Sequence, residues 1–149
     1  MISPKMTTDQ TVNNQARPLG KYPYVKRAGD YLFLSGMSAR LADGSVAGTD
    51  VGPDGRRQHD IQLQTRIVIE KIRDTLQGAG ADLSACVAIT SYLVDMQDFD
   101  GYNAVYGQYF DYQGPARTTV AVHQLPHPDM VVELTAIAYH PLASCGNIT

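Results

Sequence analysis

Hydrophobic and polar positions change period several times along this chain, and each change predicts an element. Tyr31-Leu32-Phe33-Leu34-Ser35-Gly36 is a short β-rich run that closes on glycine. Ahead of it, Pro23 keeps Tyr22 extended, and Val25-Lys26 continues as a strand. The two runs predict a hairpin turned at Ala28-Gly29-Asp30. Residues 42–56 hold four glycines and a proline, which predicts a loop with room for one short strand. From about Arg57 to Gln77 the period is helical. Ile61, Thr65, Val68, Ile69, Ile72 and Leu76 share one face, with Arg66, Glu70, Arg73 and Asp74 largely opposite. Gly78 and Gly80 predict the stop, and Asp82 to Ser84 a turn. Cys86 to Val94 is a strand by its β-branched content. Asp95 or Asp98 can cap a second helix to about Asp111, with Phe99, Tyr102, Tyr106, Tyr109 and Phe110 inward.

Gly114 to Tyr139 then reads as two strands joined by a Pro-broken turn, and each carries a charge where the pattern asks for an apolar residue. Arg117 opens the first. Glu133 sits between Val132 and Leu134 in the second. A carboxylate in such a run is costly unless paired, hydrogen-bonded or used. The expectation is that these two groups, from neighbouring final strands, open into one mostly dry cleft. A sheet-edge arginine paired with an acid, or a glutamate in an intersubunit salt bridge, would give the same pattern.

The order β-β-(β)-α-β-α-β-β predicts an α+β two-layer domain, a mixed sheet with two helices on one face. Met130, Val132, Leu134, Ala136 and Ala138 alternate with Val131, Glu133, Thr135, Ile137 and Tyr139, and both sets are largely apolar. A sheet so built needs cover on its second face, so an oligomer is expected with Glu133 near a subunit boundary. Residues 1–18 are polar and aperiodic and predict a mobile arm, with one domain over 19–141 and a tail over 142–149.

Composition narrows the function. With 149 residues, 44% hydrophobic and a formal net charge of −3, the chain fits one globular domain and no broad polyanion surface. It has no Trp to stack on bases, so no nucleic-acid partner is expected. No apolar stretch approaches the ~18 to 20 residues of a membrane helix, and no secretory signal opens the chain, which points to the cytoplasm. Cys86 and Cys145 lack metal or disulfide spacing, and Cys86 reads as a buried free thiol. The terminal Asn147-Ile148-Thr149 sequon has no secretion route to use it.

Other motifs fall away. Ser35 lies in LFLSGMS, not GxSxG, and the glycine-rich loop lacks a phosphate-binding lysine pattern. His123 and His127 have metal-like spacing only on a helix, which Pro126 and Pro128 forbid. Arg117, Thr119, Ala121 and His123 would share one side of their strand, while His127 lies in the turn. The tyrosines at helical spacing read as packing.

From about Leu19 to Pro141 the chain resembles the Rid/YjgF family of reactive imine deaminases. The resemblance rests on Tyr22-Pro23-Tyr24, Phe33-Leu34-Ser35-Gly36, Asp98-Phe99 and Tyr102-Asn103-Ala104-Val105-Tyr106. It is strongest at Gly114-Pro115-Ala116-Arg117-Thr118-Thr119-Val120 and at Val132 to Ala138. Lys26 to Asp30 and Thr118 to Pro128 are similar to the 2-aminomuconate deaminases within it. The resemblance implies a chorismate-mutase-like fold, a homotrimer built on a central barrel, and active sites at its subunit interfaces. It also implies neither metal nor organic cofactor, and a small dicarboxylate substrate. It makes Arg117 the carboxylate anchor and Glu133 the group that handles water and proton. Tyr24 and Asn103 would line the pocket, Ser35-Gly36 would offer a backbone contact, and His123 and His127 become candidates for the second carboxylate. Met37, Thr119 and a turn longer by about one residue depart from the family pattern and bear on substrate range.

Overall fold

The computed structural model describes residues 15–143. Strands β1 (Val25–Ala28) and β2 (Tyr31–Met37) form the expected hairpin, and Gly29 supplies the positive φ of 58° its two-residue turn requires. Two further strands, β3 (Thr49–Val51) and β4 (Arg57–His59), pair as a separate two-stranded ribbon. The helix α1 (Ile61–Gly78) therefore starts later than its period suggested. Asp60 fixes the start, since its side chain accepts from the Leu63 N–H at 2.9 Å. Gly80 ends it with φ 85°. Strand β5 (Cys86–Leu93), helix α2 (Phe99–Tyr109), β6 (Ala116–Ala121) and β7 (Val132–Tyr139) follow. Asp82 and Asp95 cap short 3-10 turns before β5 and α2, and Asp98 holds the N-cap position of α2 itself without a side-chain hydrogen bond.

The main sheet runs β1-β2-β7-β5-β6, with β5 and β6 parallel and the other neighbours antiparallel. A parallel pair cannot be closed by a tight turn, so α2 serves as the crossover. This corrects one expectation. The two final strands are not neighbours, because β5 lies between them. Their burial explains the choice: β7 alternates buried and half-buried residues as a central strand does, whereas β6 is mostly exposed and takes the edge. The two helices cover one face. There Val68, Ile69, Ile72 and Leu76 of α1 and Tyr102 and Tyr106 of α2 meet Leu32, Leu34, Ile89, Leu93, Val132, Leu134, Ala136 and Ala138. On the other face Tyr31, Phe33, Val120 and Tyr139 are exposed, and Tyr31 and Tyr139 meet edge to face at 5.4 Å. The two-layer α+β architecture is as expected.

Two long-range ties set the chain around this core. Gln64, wholly buried on α1, donates to the Asp129 carbonyl at 2.8 Å and accepts from the Val131 N–H at 3.1 Å. Asp129, itself 4% exposed, takes Arg57 Nε at 3.2 Å and His59 Nε2 at 3.0 Å on one carboxylate oxygen, clamping the β3–β4 ribbon to the turn before β7. At the N-terminal side, Gln15 and Ala16 are buried, and Gln15 bridges Leu41, so the expected arm cannot extend over them. Residues 1–14 of that arm, like residues 144–149 of the tail with Cys145 and the sequon, lie outside the described residues. Among the described residues no helix is long and apolar enough to cross a membrane. Asp129→Ala is expected to cost about 1.5–3 kcal/mol, the range for hydrogen bonds to a charged group. A lower urea midpoint at unchanged slope measures it.

Candidate functional site

Glu133 projects from the face of β7 that the helices leave open. β2 reaches it through an irregularity: Leu34 pairs with Ala136 and Met37 with Leu134, so Ser35 and Gly36 together oppose one residue of β7. The bulge lays Gly36 against the carboxyl. A Cβ at position 36 would overlap Glu133 Oε1 and stand 2.8 Å from its Cδ, so a side chain there would displace the carboxyl. Glu133 and Gly36 line a small pocket with Tyr22, Tyr24, Arg40, Lys71, Pro126 and Met130. Among the described residues nothing pairs with the carboxyl, and burial raises its pKa. A half-buried acid without a partner suits proton transfer, since its charge state is not locked by a salt bridge.

Arg117 lies elsewhere. Its β5 neighbour is Ile89, a core residue, so its side chain leaves the sheet on the helix side. There the guanidinium carbon lies 4.7 Å from the ring centre of Tyr106, 5.3 Å from Tyr102 and 5.8 Å from Phe99. Nη1 donates to Asn103 Oδ1 at 2.8 Å. Among the described residues no acid pairs with Arg117. Two buried hydroxyls on the same side, Tyr106 OH and Thr119 Oγ1, have no hydrogen-bond partner among the described residues. Burial first, then Tyr102, pushes the Tyr106 phenol up to about 12, so it stays a neutral donor. A cation with donors to spare beside two unsatisfied hydroxyls is what a bound carboxylate would complete.

The expected single cleft is therefore absent within one chain. Along β5, Arg117 is level with Ile89 and Glu133 with Tyr92, an odd offset that puts the two on opposite faces. Strand geometry separates their Cα atoms by about 14 Å. A site that uses both must draw them from two copies of the chain.

The remaining candidates divide. Tyr24 lines the Glu133 pocket, donates its hydroxyl to the Ala16 carbonyl, and has its pKa raised by burial. Asn103 is the acceptor for Arg117, on an exposed position of α2. Ser35 holds the strand entry: its hydroxyl donates to the Pro23 carbonyl at 2.7 Å and its N–H to the Tyr24 carbonyl at 2.9 Å. His123 lies exposed beyond the end of β6, so it does not extend the row of Arg117 and Thr119. His127 accepts from the Asp129 N–H through Nδ1 at 3.0 Å. The Glu133 pocket takes Pro126 and Met130 from this loop and neither histidine. Among the described residues no cluster of His, Cys, Asp or Glu is built to hold a metal. Cys86 is a buried free thiol whose pKa burial lifts to about 11. Arg40 and Lys71, both in the Glu133 pocket, escaped the sequence reading; Lys71 sits beside Glu70 on what looked like a solvated helix face.

Over residues 12–140 the chain matches the family described as Endoribonuclease L-PSP. A RutC family protein of Pyrococcus horikoshii is 38% identical over 126 residues, 85% of this chain and 92% of that protein. The crystal structure of E. coli TdcF with bound serine has a TM-score of 0.69 at 27% identity, over 85% of this chain and 94% of that one. RidA from an Antarctic Psychrobacter also gives 0.69, at 25% identity over 85% and 94%.

The buried acid carries a testable stability signature. A carboxyl whose pKa rises on folding stabilises the fold in its neutral form, and that contribution is lost as pH climbs from the unfolded value through the folded one. Glu133→Gln should therefore unfold at higher denaturant than the parent at neutral pH, with the gap closing as pH falls through the raised folded value toward 4.5, the ordinary value for the group. Parallel denaturant titrations across pH measure the gap.

Proposed function

This chain belongs to the endoribonuclease L-PSP family, and from that premise we propose that it is a cofactor-independent hydrolytic deaminase of 2-aminomuconate, with active sites shared between the subunits of a homotrimer. One observation carries the reading: among the described residues neither Arg117 nor Glu133 has a counter-charge, and the two lie on opposite faces of one sheet. The apolar open face supplies the means of joining them. Tyr31, Phe33, Val120 and Tyr139 need cover, and the sheet of another copy would provide it.

The chemistry follows from the groups. 2-Aminomuconate is a conjugated enamine with a carboxylate beside the amine-bearing carbon. Protonation at carbon makes the imine, water adds to it, and the carbinolamine expels ammonia to leave the 2-oxo dicarboxylate. The Arg117 guanidinium fixes the near carboxylate bidentately, its plane set by the rings of α2 and by Asn103. Anchoring beside the reacting carbon lowers the barrier by orientation. Glu133 as carboxylate takes the proton of the attacking water and returns it to the departing amine. Its raised pKa brings these two states closer in energy. TdcF with bound serine supports the reading, since serine also carries nitrogen on the carbon next to a carboxylate.

A broader activity on 2-aminoacrylate-type imines would need Arg117 and Glu133 but no contact for a second carboxylate. A carboxylate-binding trimer without turnover would need no proton mover, yet Glu133 is kept desolvated at a cost. The endoribonuclease of the family description implies a polyanion, and a formal net charge of −3 does not favour that substrate.

Ammonia release on 2-aminomuconate and 2-aminoacrylate, side by side, tests the substrate. Faster release from 2-aminomuconate is expected; preference for 2-aminoacrylate favours the broader enzyme, and silence on both, or cleavage of added RNA, overturns the assignment. The shared site has its own test. Arg117→Ala should raise KM, and Glu133→Gln should lower kcat by about 10²- to 10⁴-fold. Refolded together in equal amounts and assayed at substrate well below the raised KM, these two impaired variants should regain about a quarter of parental activity, as a random three-membered ring with cross-subunit sites requires. No recovery in verified mixed oligomers would place both residues in one chain's site.

A further inference from the structure

Arg40 and Lys71 stand in the pocket of Glu133, and among the described residues neither is joined by an ion pair to that carboxyl or to any other acid. Lys71 Nζ donates to the Ser38 carbonyl at 2.8 Å and also to the Arg40 carbonyl. The Arg40 guanidinium donates to the Arg17 carbonyl. Every one of these acceptors is neutral. Among the described residues neither cation forms an ion pair. Burial and the nearby Arg40 push the Lys71 ammonium down to about 8, a sign that the pocket disfavours its positive charge.

Holding two like charges at a half-buried site is unfavourable unless an anion joins them. A purely structural lysine would account for the bonds that pin the segment after β2. It would not account for a second cation beside it with most of its donors unused. Lys71 has one proton left and Arg40 retains several, enough for a carboxylate. We propose that Arg40 and Lys71 form a second anion anchor, which receives the far carboxylate of a dicarboxylate and makes the Glu133 pocket select two-headed acids over single-headed ones. The proposal rests on the reading above, in which Glu133 works on a substrate whose near carboxylate is held by Arg117 of another copy. It moves the far-carboxylate role from His123 and His127, which do not line this pocket, to two residues that do.

Calorimetric binding of cis,cis-muconate and of sorbate isolates the second charge, because both are six-carbon dienes and only muconate has a carboxylate at each end. The parent should bind muconate more tightly than sorbate. In Arg40→Gln and in Lys71→Met the ratio of muconate to sorbate affinity should fall about ten-fold or more, as loss of one member of a charge-paired contact implies. Equal weakening of both ligands would make the cations structural, and a parent that does not prefer muconate would remove the anchor; either result overturns the proposal. If Lys71→Met fails to fold, Arg40→Gln decides, since its guanidinium is tied by a single hydrogen bond. Binding is read without turnover, so a protein inert in ammonia release but selective for muconate would sink the deaminase and keep the anchor.

Discussion

The parallel pairing of β5 with β6 decides where the chemistry can sit. A parallel neighbour demands a crossover, and here the crossover is α2. That helix lands on the sheet face of Arg117 and presents Phe99, Tyr102 and Tyr106 to its guanidinium. With β6 at the edge, β7 is left to enter between β2 and β5, and its alternation then turns Glu133 to the far face. The arginine and the glutamate are thus separated by topology, not by a side-chain rotamer. No local rearrangement can bring them together inside one chain.

The same arrangement explains why the separated groups tolerate their isolation. Arg117 is solvated by ring faces and one amide, an environment that holds a cation without neutralising it. Glu133 is held against Gly36, where a bulge in β2 has removed both a side chain and regular pairing. Each group keeps its charge or proton available at some expense in stability, the usual relation between a working site and its fold. The open apolar face bears on Glu133. Covering Tyr31, Phe33, Val120 and Tyr139 with another copy would remove water from the sheet face that carries Glu133.

Much of this was legible in sequence wherever the signal was local. The apolar face of α1 from Val68 to Leu76, the hairpin at Gly29, and the strand from Cys86 were written in periodicity. Arg117 and Glu133 were found because each breaks its strand's pattern. Pairing partners were not legible. Alternation tells which residues of a strand share a face but not which strand lies alongside, so β5 between the last two strands could not be read from Gly114 to Tyr139. Charged residues before a helical run look like its first turn, so the helical period extends over Arg57 to His59; pairing with Thr49 to Val51 claims them instead. Lys71 was hidden for a related reason. Between Glu70 and Ile72 it has the position of a solvated lysine, and only the chain folding back at Ser38 and Arg40 gives its ammonium a buried setting.

The proposed two ends of the ligand would be recognised by different physics. At Arg117 the cation is planar, its orientation fixed by three rings and an amide, and the nearby Thr119 and Tyr106 hydroxyls lack partners. Such an end sets geometry, because only a flat bidentate anion meets the fork and the hydroxyls together. At Arg40 and Lys71 the cations sit on long side chains and are tied only to backbone carbonyls, Arg40 by one hydrogen bond and Lys71 by two, so they can follow an anion over a range of positions. That end sets charge and leaves length open. The reacting carbon belongs near the rigid end, where misplacement of about 1 Å is costly to rate. The compliant end can then discriminate two-headed acids from single-headed ones without disturbing the alignment on which proton transfer by Glu133 depends.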